Sequence, residues 1–311
     1  MRLVKFAALA SGLAILIPLV PYRVEGDGNL LLWMIDLASH WQWLYVAVLL
    51  VCAPLLAWKD KRWLMLIVLT VLPWFTASST ALRANHDGPT LTVIVANVNA
   101  ANQNPATFID WLNNRQADVV AVLEVSPQLG IDLEKLVAFP HRVIRPRNDA
   151  FGIALLSRFP LSDIQVIEDN DGIPHIEAQV AWPKQAFDIV VFHPMPPMAP
   201  EFHALRDVKL TAIARHHKDI ARPVVVAGDL NATPWSSAFT GLDELGLRRT
   251  GDLSPTWPAM FEGWFGIPID HLLVSPEWRV NDAYIGPDIG SDHLPIAVVL
   301  QTSSAATMPG R

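Results

Sequence analysis

The sequence predicts a layered α/β domain preceded by an α-helical membrane anchor of three transmembrane helices. Three observations predict it. The first eighty residues hold three long apolar runs almost free of charge, short β-branched runs recur from Leu91 onward, and amphipathic helical patterns separate some of those runs. A chain of 311 residues is long enough for two such units.

The first run, about residues 3–21, is interrupted only by Lys5 and Ser11. At ~1.5 Å per residue it approaches the ~30 Å thickness of a bilayer core. A signal peptide is the alternative, but Val20-Pro21-Tyr22-Arg23 is a poor small-residue cleavage site. Further spans are expected at 42–58 and 63–77, joined by the basic connector Lys59-Asp60-Lys61-Arg62. A buried helical hairpin in a soluble protein would have to hide three uncharged runs. Three crossings place Arg2, Lys5, Lys59, Lys61 and Arg62 on one side, and the positive-inside rule makes that side cytoplasmic. The expectation is therefore a multi-pass protein of the inner (plasma) membrane with everything after Thr80 on the periplasmic or extracellular side. The loop 22–40 would face the same way. Residues 81–90 read as a linker, 91–301 as the catalytic domain and 302–311 as a flexible tail.

Beyond the linker, Leu91–Val98, Asp118–Glu124, Gly152–Ser157, Phe187–His193, Pro223–Asp229, Ile269–Val274 and Leu294–Leu300 read as strands. Runs apolar on both faces need cover on both sides, which favours layered α/β architecture over an open antiparallel sheet. Helices are expected over Pro105–Arg115 and from Pro200 to about Ile220. The proline-rich stretch 194–200 can only be a stiff loop.

Most of these strands carry a polar residue at an end. Asn97 and Glu124 offer the hard oxygen ligands that Mg²⁺ accepts. Gly228-Asp229-Leu230-Asn231 delivers a carboxylate able to orient or deprotonate water and an amide able to donate to an oxyanion, although an Asx turn would use the same residues. His293 is the acid/base candidate, with Asp270 as the carboxylate that fixes its tautomer. His193, just before the proline-rich loop, is a second phosphate-binding or acid candidate.

Asn97-Val98, Leu123-Glu124, the Gly152–Arg158 run, His193-Pro194, Gly228–Asn231, Ile269-Asp270-His271 and Ser291–Pro295 occur in an order that resembles the endonuclease/exonuclease/phosphatase superfamily. The resemblance covers about residues 91–300. With three amino-terminal spans and a Thr256-Trp257-Pro258 element, the chain is similar to bacterial membrane-anchored YafD-type members. One departure is Leu123-Glu124-Val125 in place of the commoner Gln-Glu. The resemblance implies a four-layer αββα sandwich of deoxyribonuclease-like fold with its site at one rim. It implies Mg²⁺, with Mn²⁺ as a substitute, held principally by Glu124 with Asn97 and Asp292 near it. Asp229 would handle the attacking water, Asn231 the phosphoryl oxygens, and His293 paired to Asp270 the phosphate.

Composition narrows the substrate. The chain carries 23 basic and 30 acidic residues, and the excess of acid lies beyond residue 80. Sequence-blind binding to duplex nucleic acid usually rests on a basic surface, so nucleic acid is not the favoured partner. The expected partners are the lipid bilayer and a lipid-like or small extracytoplasmic phosphoester. An extracytoplasmic nuclease and a non-catalytic membrane scaffold that kept the fold are the alternatives. The single cysteine, Cys52, excludes an internal disulfide and a thiolate metal site.

Overall fold

A computed structural model describes the whole chain except residues 21, 24–27, 86–87, 103, 169–170, 221 and 304–311. The chain divides into two compact units.

The first unit holds Met1–Ser78 together with Met195–Ala212 and Ala232–Gly241. Its helices are α1 (Arg2–Ile15), α2 (Leu30–Ser39), α3 (Gln42–Ala57) and the short α4 (Leu72–Thr76). A 3₁₀ segment, Lys61–Val71, precedes α4. Small residues of α1, namely Ala8, Ser11 and Gly12, face inward, and Ala8 and Ile15 pack with Leu49 and Leu56 of α3. Large ones such as Leu3, Phe6 and Leu13 face outward. This is the reverse of a soluble helix and the usual pattern of helices packed in lipid, where small residues let backbones approach.

Two expectations change here. Among the described residues, only Arg2–Leu19 is by itself long and apolar enough to cross a membrane; Gln42–Ala57 reaches that length only with α2, from which it is bent by 62°. The third expected span is the 3₁₀ segment followed by α4, not one α-helix. Part of the expected 22–40 loop is the helix α2, whose Asn29 cap accepts from the Leu31 and Leu32 amides at 2.9 and 3.1 Å.

Asp36 is the reason a helix carrying an acid is buried here. It is fully buried, and it accepts from Arg206 Nη2, Ser236 Oγ and the Ser237 amide, each at 2.8 Å. His40 and His203 stand 3.3 and 3.5 Å from its second oxygen. Arg206 bonds Asp207 in turn at 2.8 Å, and Asp207 also accepts from Ser237. Burying an ion is costly unless it is paired and hydrogen-bonded throughout; this one is.

The second unit, Ser79–Pro194, Ile213–Asn231 and Leu242–Arg311, is the predicted α/β domain. It runs β1 (Thr90–Asn97), α5 (Ala106–Asn113), β2 (Val119–Leu123), α6 (Pro127–Leu133), β3 (His141–Arg145), β4 (Ile153–Ser157), β5 (Leu161–Glu168), β6 (Pro174–Val180), β7 (Phe187–Val191), the second part of α7 (Pro200–Ile220), β8 (Val224–Asp229), β9 (Arg248–Arg249), β10 (Asp270–Val274), β11 (Trp278–Ile285) and β12 (Ile296–Thr302). Two six-stranded sheets result, ordered β11-β12-β1-β2-β4-β3 and β5-β6-β7-β8-β10-β9. Val93, Val95, Ala121 and Leu155 from one and Ile176, Ile189, Val225 and Leu272 from the other share one buried core. Phe108 and Leu112 of α5 and Leu129 and Leu133 of α6 cover the outside of the first sheet. His217 of α7 stands 3.5 Å from Asp188 of β7 in the second.

All seven expected strands are present. The sheets are nonetheless mostly antiparallel, with one parallel pair each, β1/β2 and β7/β8. A parallel pair requires a crossover, and α5 and α7 supply the two crossovers. The expected linker is tied down: the Ala81 amide donates to Arg249 O at 2.7 Å, the Ala84 amide to Val280 O at 2.8 Å, and the Val280 amide to Leu82 O at 2.9 Å. Thr302, expected in the tail, pairs with Trp278 in the sheet, while residues 304–311 of that tail lie outside the described residues.

Candidate active site

The topology explains why the candidates meet. The carboxyl ends of β1, β2, β7 and β8 point to one rim, and the antiparallel β10 and β12 begin there. Asn97, Glu124, His193, Asp229, Asp270 and His293 lie at those ends. Gly228 is required for the approach, since a Cβ there would stand 1.8 Å from Phe192 O. Its absence lets β8 close on the end of β7, so that His193 Nε2 reaches 3.6 Å from Asp229 Oδ2.

Asp229 and Asp270 are directly opposed across β8 and β10. Like charges in that register repel. His293 offsets the repulsion: its Nδ1 is 2.9 Å from Asp270 Oδ2 and its Nε2 is 3.7 Å from Asp229 Oδ2. Burial alone would favour the neutral imidazole, but the Asp270 and Asp229 charges outweigh it and lift His293 to about 10. Burial, then the charge of Asp270, raises Asp229 to about 7. Thr256 Oγ accepts from the Asp270 amide at 3.2 Å, and Ser291 Oγ donates to Asn97 O at 2.8 Å while accepting from the His293 amide at 3.1 Å. Ser291 thereby fixes β1 against the His293 turn.

Glu124 leaves β2 with a φ of +59°, a left-handed conformation uncommon outside glycine. Asn99 and Asn231 share it, at +57° and +50°. Such strain clusters at functional sites, and here it aims the carboxylate: Glu124 Oε1 accepts from Asn97 Nδ2 at 3.0 Å and Oε2 from the Ala100 amide at 2.9 Å. Asn97 Nδ2 also reaches Asp229 Oδ2 at 3.2 Å and His293 Nε2 at 3.5 Å. One amide thus joins both carboxylates, while the charged imidazole stands beside it in contact only. The amide presents nitrogen to the carboxylates, whereas Asn97 Oδ1 accepts from the Asn99 amide at 3.1 Å. Metal ligation through Asn97 therefore requires the amide to turn over.

Asp292 is exposed. Its oxygens accept from Asn99 Nδ2 at 2.7 Å and from Trp257 Nε1 at 3.1 Å. Asn99 and Trp257 are thus parts of the rim. The Asn-x-Asn spacing after β1 and the Thr256-Trp257-Pro258 element were the available signals. Asn231 accompanies Asp229 as expected: its amide donates to Asp229 Oδ1 at 2.9 Å and its Nδ2 to Pro194 O at 3.1 Å. His193 departs from its expected role as an acid. Burial, and then the charge of His293, push it down to about 4. It is neutral at physiological pH and lies 3.6 Å from Asp229 Oδ2, beyond hydrogen-bonding distance.

The donor set fits a hard divalent cation. Glu124 and Asp229 both accept from Asn97 Nδ2, Asp229 is opposed to Asp270, and a cation would relieve the charge of Asp270 that, after burial, raises Asp229. Among the described residues the group close enough to converge on one ion is Asp229, Asp270 and His293. His293 is already committed there to pairing the two aspartates. Glu124 is half-buried at the same rim and offers a hard carboxylate oxygen of the kind a divalent cation accepts.

Solved structures share the fold. D. rerio TDP2 complexed with single strand DNA product superposes with a TM-score of 0.57 at 18% identity, covering 69% of this chain and 100% of that one. The 3′ phosphatase NExo from Neisseria, bound to product DNA hairpin, gives 0.55 at 17%, covering 68% and 99%. An endonuclease/exonuclease/phosphatase from Beutenbergia cavernae gives 0.56 at 19%, covering 70% and 73%. No curated protein matches the sequence. Residues 94–293, which hold Asn97 through His293, match the family model described as the Endonuclease/Exonuclease/phosphatase family. The chain belongs to that family of metal-dependent hydrolases acting on phosphoester bonds.

Proposed function

We propose that this protein is a membrane-anchored Mg²⁺-dependent phosphoesterase that hydrolyses a lipid-like or other small extracytoplasmic phosphoester. The observation that carries the reading is the single hydrogen-bonded and ion-paired set of Glu124, Asn97, Asp229, His293 and Asp270 at the rim of the domain.

A divalent ion held by Glu124, with Asn97 and Asp292 near it, would supply positive charge to the phosphoryl oxygens and a template for in-line attack. Asp229 orients a water and takes its proton as the water oxygen attacks phosphorus. His193, neutral and 3.6 Å away, lines the site beside the Asp229 carboxylate. As the P–O ester bond breaks, the leaving oxygen takes a proton from His293, which Asp270 and Asp229 keep charged. Asn231, beside Asp229, is placed to orient the phosphoryl oxygens.

Metal binding separates an enzyme from a scaffold. At ~100 Kd of Mg²⁺ the bound form gains about 2.7 kcal/mol, a rise of roughly 5–10 °C in Tm for a domain of this size. That shift is expected in the intact protein and is expected to vanish in Glu124→Gln. Absence of a shift in both would favour the scaffold.

The nuclease reading draws on the DNA present in two of the similar structures. The acidic character of the chain after residue 80 weighs against it.

Three crossings would put the catalytic unit outside the cytoplasm. The 3₁₀ geometry supports a third crossing, because at ~2.0 Å per residue the segment from Lys61 through α4 extends roughly 30 Å. An alkaline-phosphatase reporter fused after Leu300 is expected to be active. An inactive phosphatase fusion, with a cytoplasmic reporter active at the same point, would reverse the orientation.

A further inference from the structure

A loop beside the site exposes four large apolar side chains: Met260 (66% exposed), Phe261 (70%), Trp264 (80%) and Phe265 (79%). A contiguous patch of this kind is uncommon on a surface that meets only water. The loop is closed at its base. Trp257 and Ile267 exchange backbone bonds at its base at 3.1 and 2.6 Å, the Ala259 amide donates to Asp292 O at 2.7 Å, and the Gly266 amide donates to Gly263 O at 2.8 Å. Phe261 and Glu262 are both left-handed, with φ of +53° and +57°. The backbone thus accepts strain while holding aromatic rings in solvent, a double cost that a ligand would repay.

The loop is joined to the reacting groups. At its base, Thr256 Oγ holds the Asp270 amide and Trp257 Nε1 holds Asp292. Between loop and site lies a hollow of about 730 Å³ lined by Met260, Phe261, Glu262, Pro287, Asp288 and Asp292. Its volume suits a small-molecule moiety. Its charged groups are acidic, and no Lys or Arg occurs from Thr250 to Glu277. A polyanion would meet like charge along this approach, whereas an alkyl chain would meet apolar surface.

We infer that the 260–265 loop is the specificity element of this site and seats the apolar part of an amphiphilic phosphoester whose phosphate lies against Glu124, Asp229 and His293. The inference rests on the phosphoesterase reading. Its test uses the full chain in lipid nanodiscs with Mg²⁺ and the methyl, butyl and octyl p-nitrophenyl phosphodiesters. Each buried methylene is worth up to ~0.8 kcal/mol, so kcat/KM is expected to rise at least ~10-fold from methyl to octyl. In the triple variant Phe261→Ser, Trp264→Ser, Phe265→Ser the rise should collapse to under ~3-fold, with methyl turnover unchanged as the control for folding. A variant that keeps the octyl gain would overturn the inference alone. So would a variant that loses turnover of a single-stranded oligonucleotide while keeping that gain, which would assign the rings to base stacking. No turnover of the methyl ester by the intact protein with Mg²⁺ or Mn²⁺ would overturn the phosphoesterase reading, and this inference with it.

Discussion

Asp229→Asn is expected to lower kcat by ~10²–10⁴-fold, the range for loss of a positioned acid or base. The fold should survive, because asparagine keeps the shape and the bond from the Asn231 amide. The variant should even gain stability in the metal-free state. Asp229 is raised to about 7 by burial and by Asp270, so between about pH 4 and pH 7 the folded protein binds a proton that the unfolded chain has released. The stability from that proton is complete below the unfolded value and is lost as pH rises through about 7. Asparagine has no such proton to lose. Thermal melts in chelator should show the intact protein weakening relative to Asp229→Asn across that window. Near-normal turnover of a soluble diester by Asp229→Asn would remove Asp229 from the chemistry.

Arg206→Met should be the most damaging substitution away from the site. It leaves Asp36 fully buried without the cation 2.8 Å away, and breaking a buried pair from one side costs ~3–5 kcal/mol. For a unit of about 100–200 residues the melting transition should fall by roughly 10–20 °C. The double variant Asp36→Asn, Arg206→Met should recover part of the loss, since the Asp36 charge is gone while the buried Asp207 still lacks its cation. Equal melting of single and double variants would show that shape, not charge, holds this cluster.

The legible strands and the missed ones differ in a physical way. The seven expected strands lie in the central part of the two sheets or at the site, buried on both faces, and read as continuous apolar runs. β3, β5, β9 and β11 are sheet edges. β5 exposes Ser162, Asp163, Ile164 and Gln165, so its composition resembles a loop. β6, Pro174–Val180, alternates instead, with Ile176, Ala178 and Val180 in the core, and so lacks the continuous apolar run of the expected seven. The site was legible because its residues terminate central strands in a recognisable order. Asn99 and Asp292 are joined only through a side-chain bond across 193 positions, and no periodicity announces such a pair. The same holds for the assignment of residues 195–212 and 232–241 to the first unit. That assignment depends on Asp36 finding Arg206, Ser236 and Ser237.

The distance between those partners sets an order of assembly. Arg206 follows Asp36 by 170 positions and Ser237 follows it by 201. At ~5–20 residues per second, synthesis needs roughly ten to forty seconds to deliver them. During that interval α2 carries an acid with no cation to meet, while β1 through β7 are being made. The unit that is translated first therefore closes only after β1 through β8 of the second have been made, with β9 through β12 still to come, and its closure reports that the chain has been synthesised past Asp229 and Asn231.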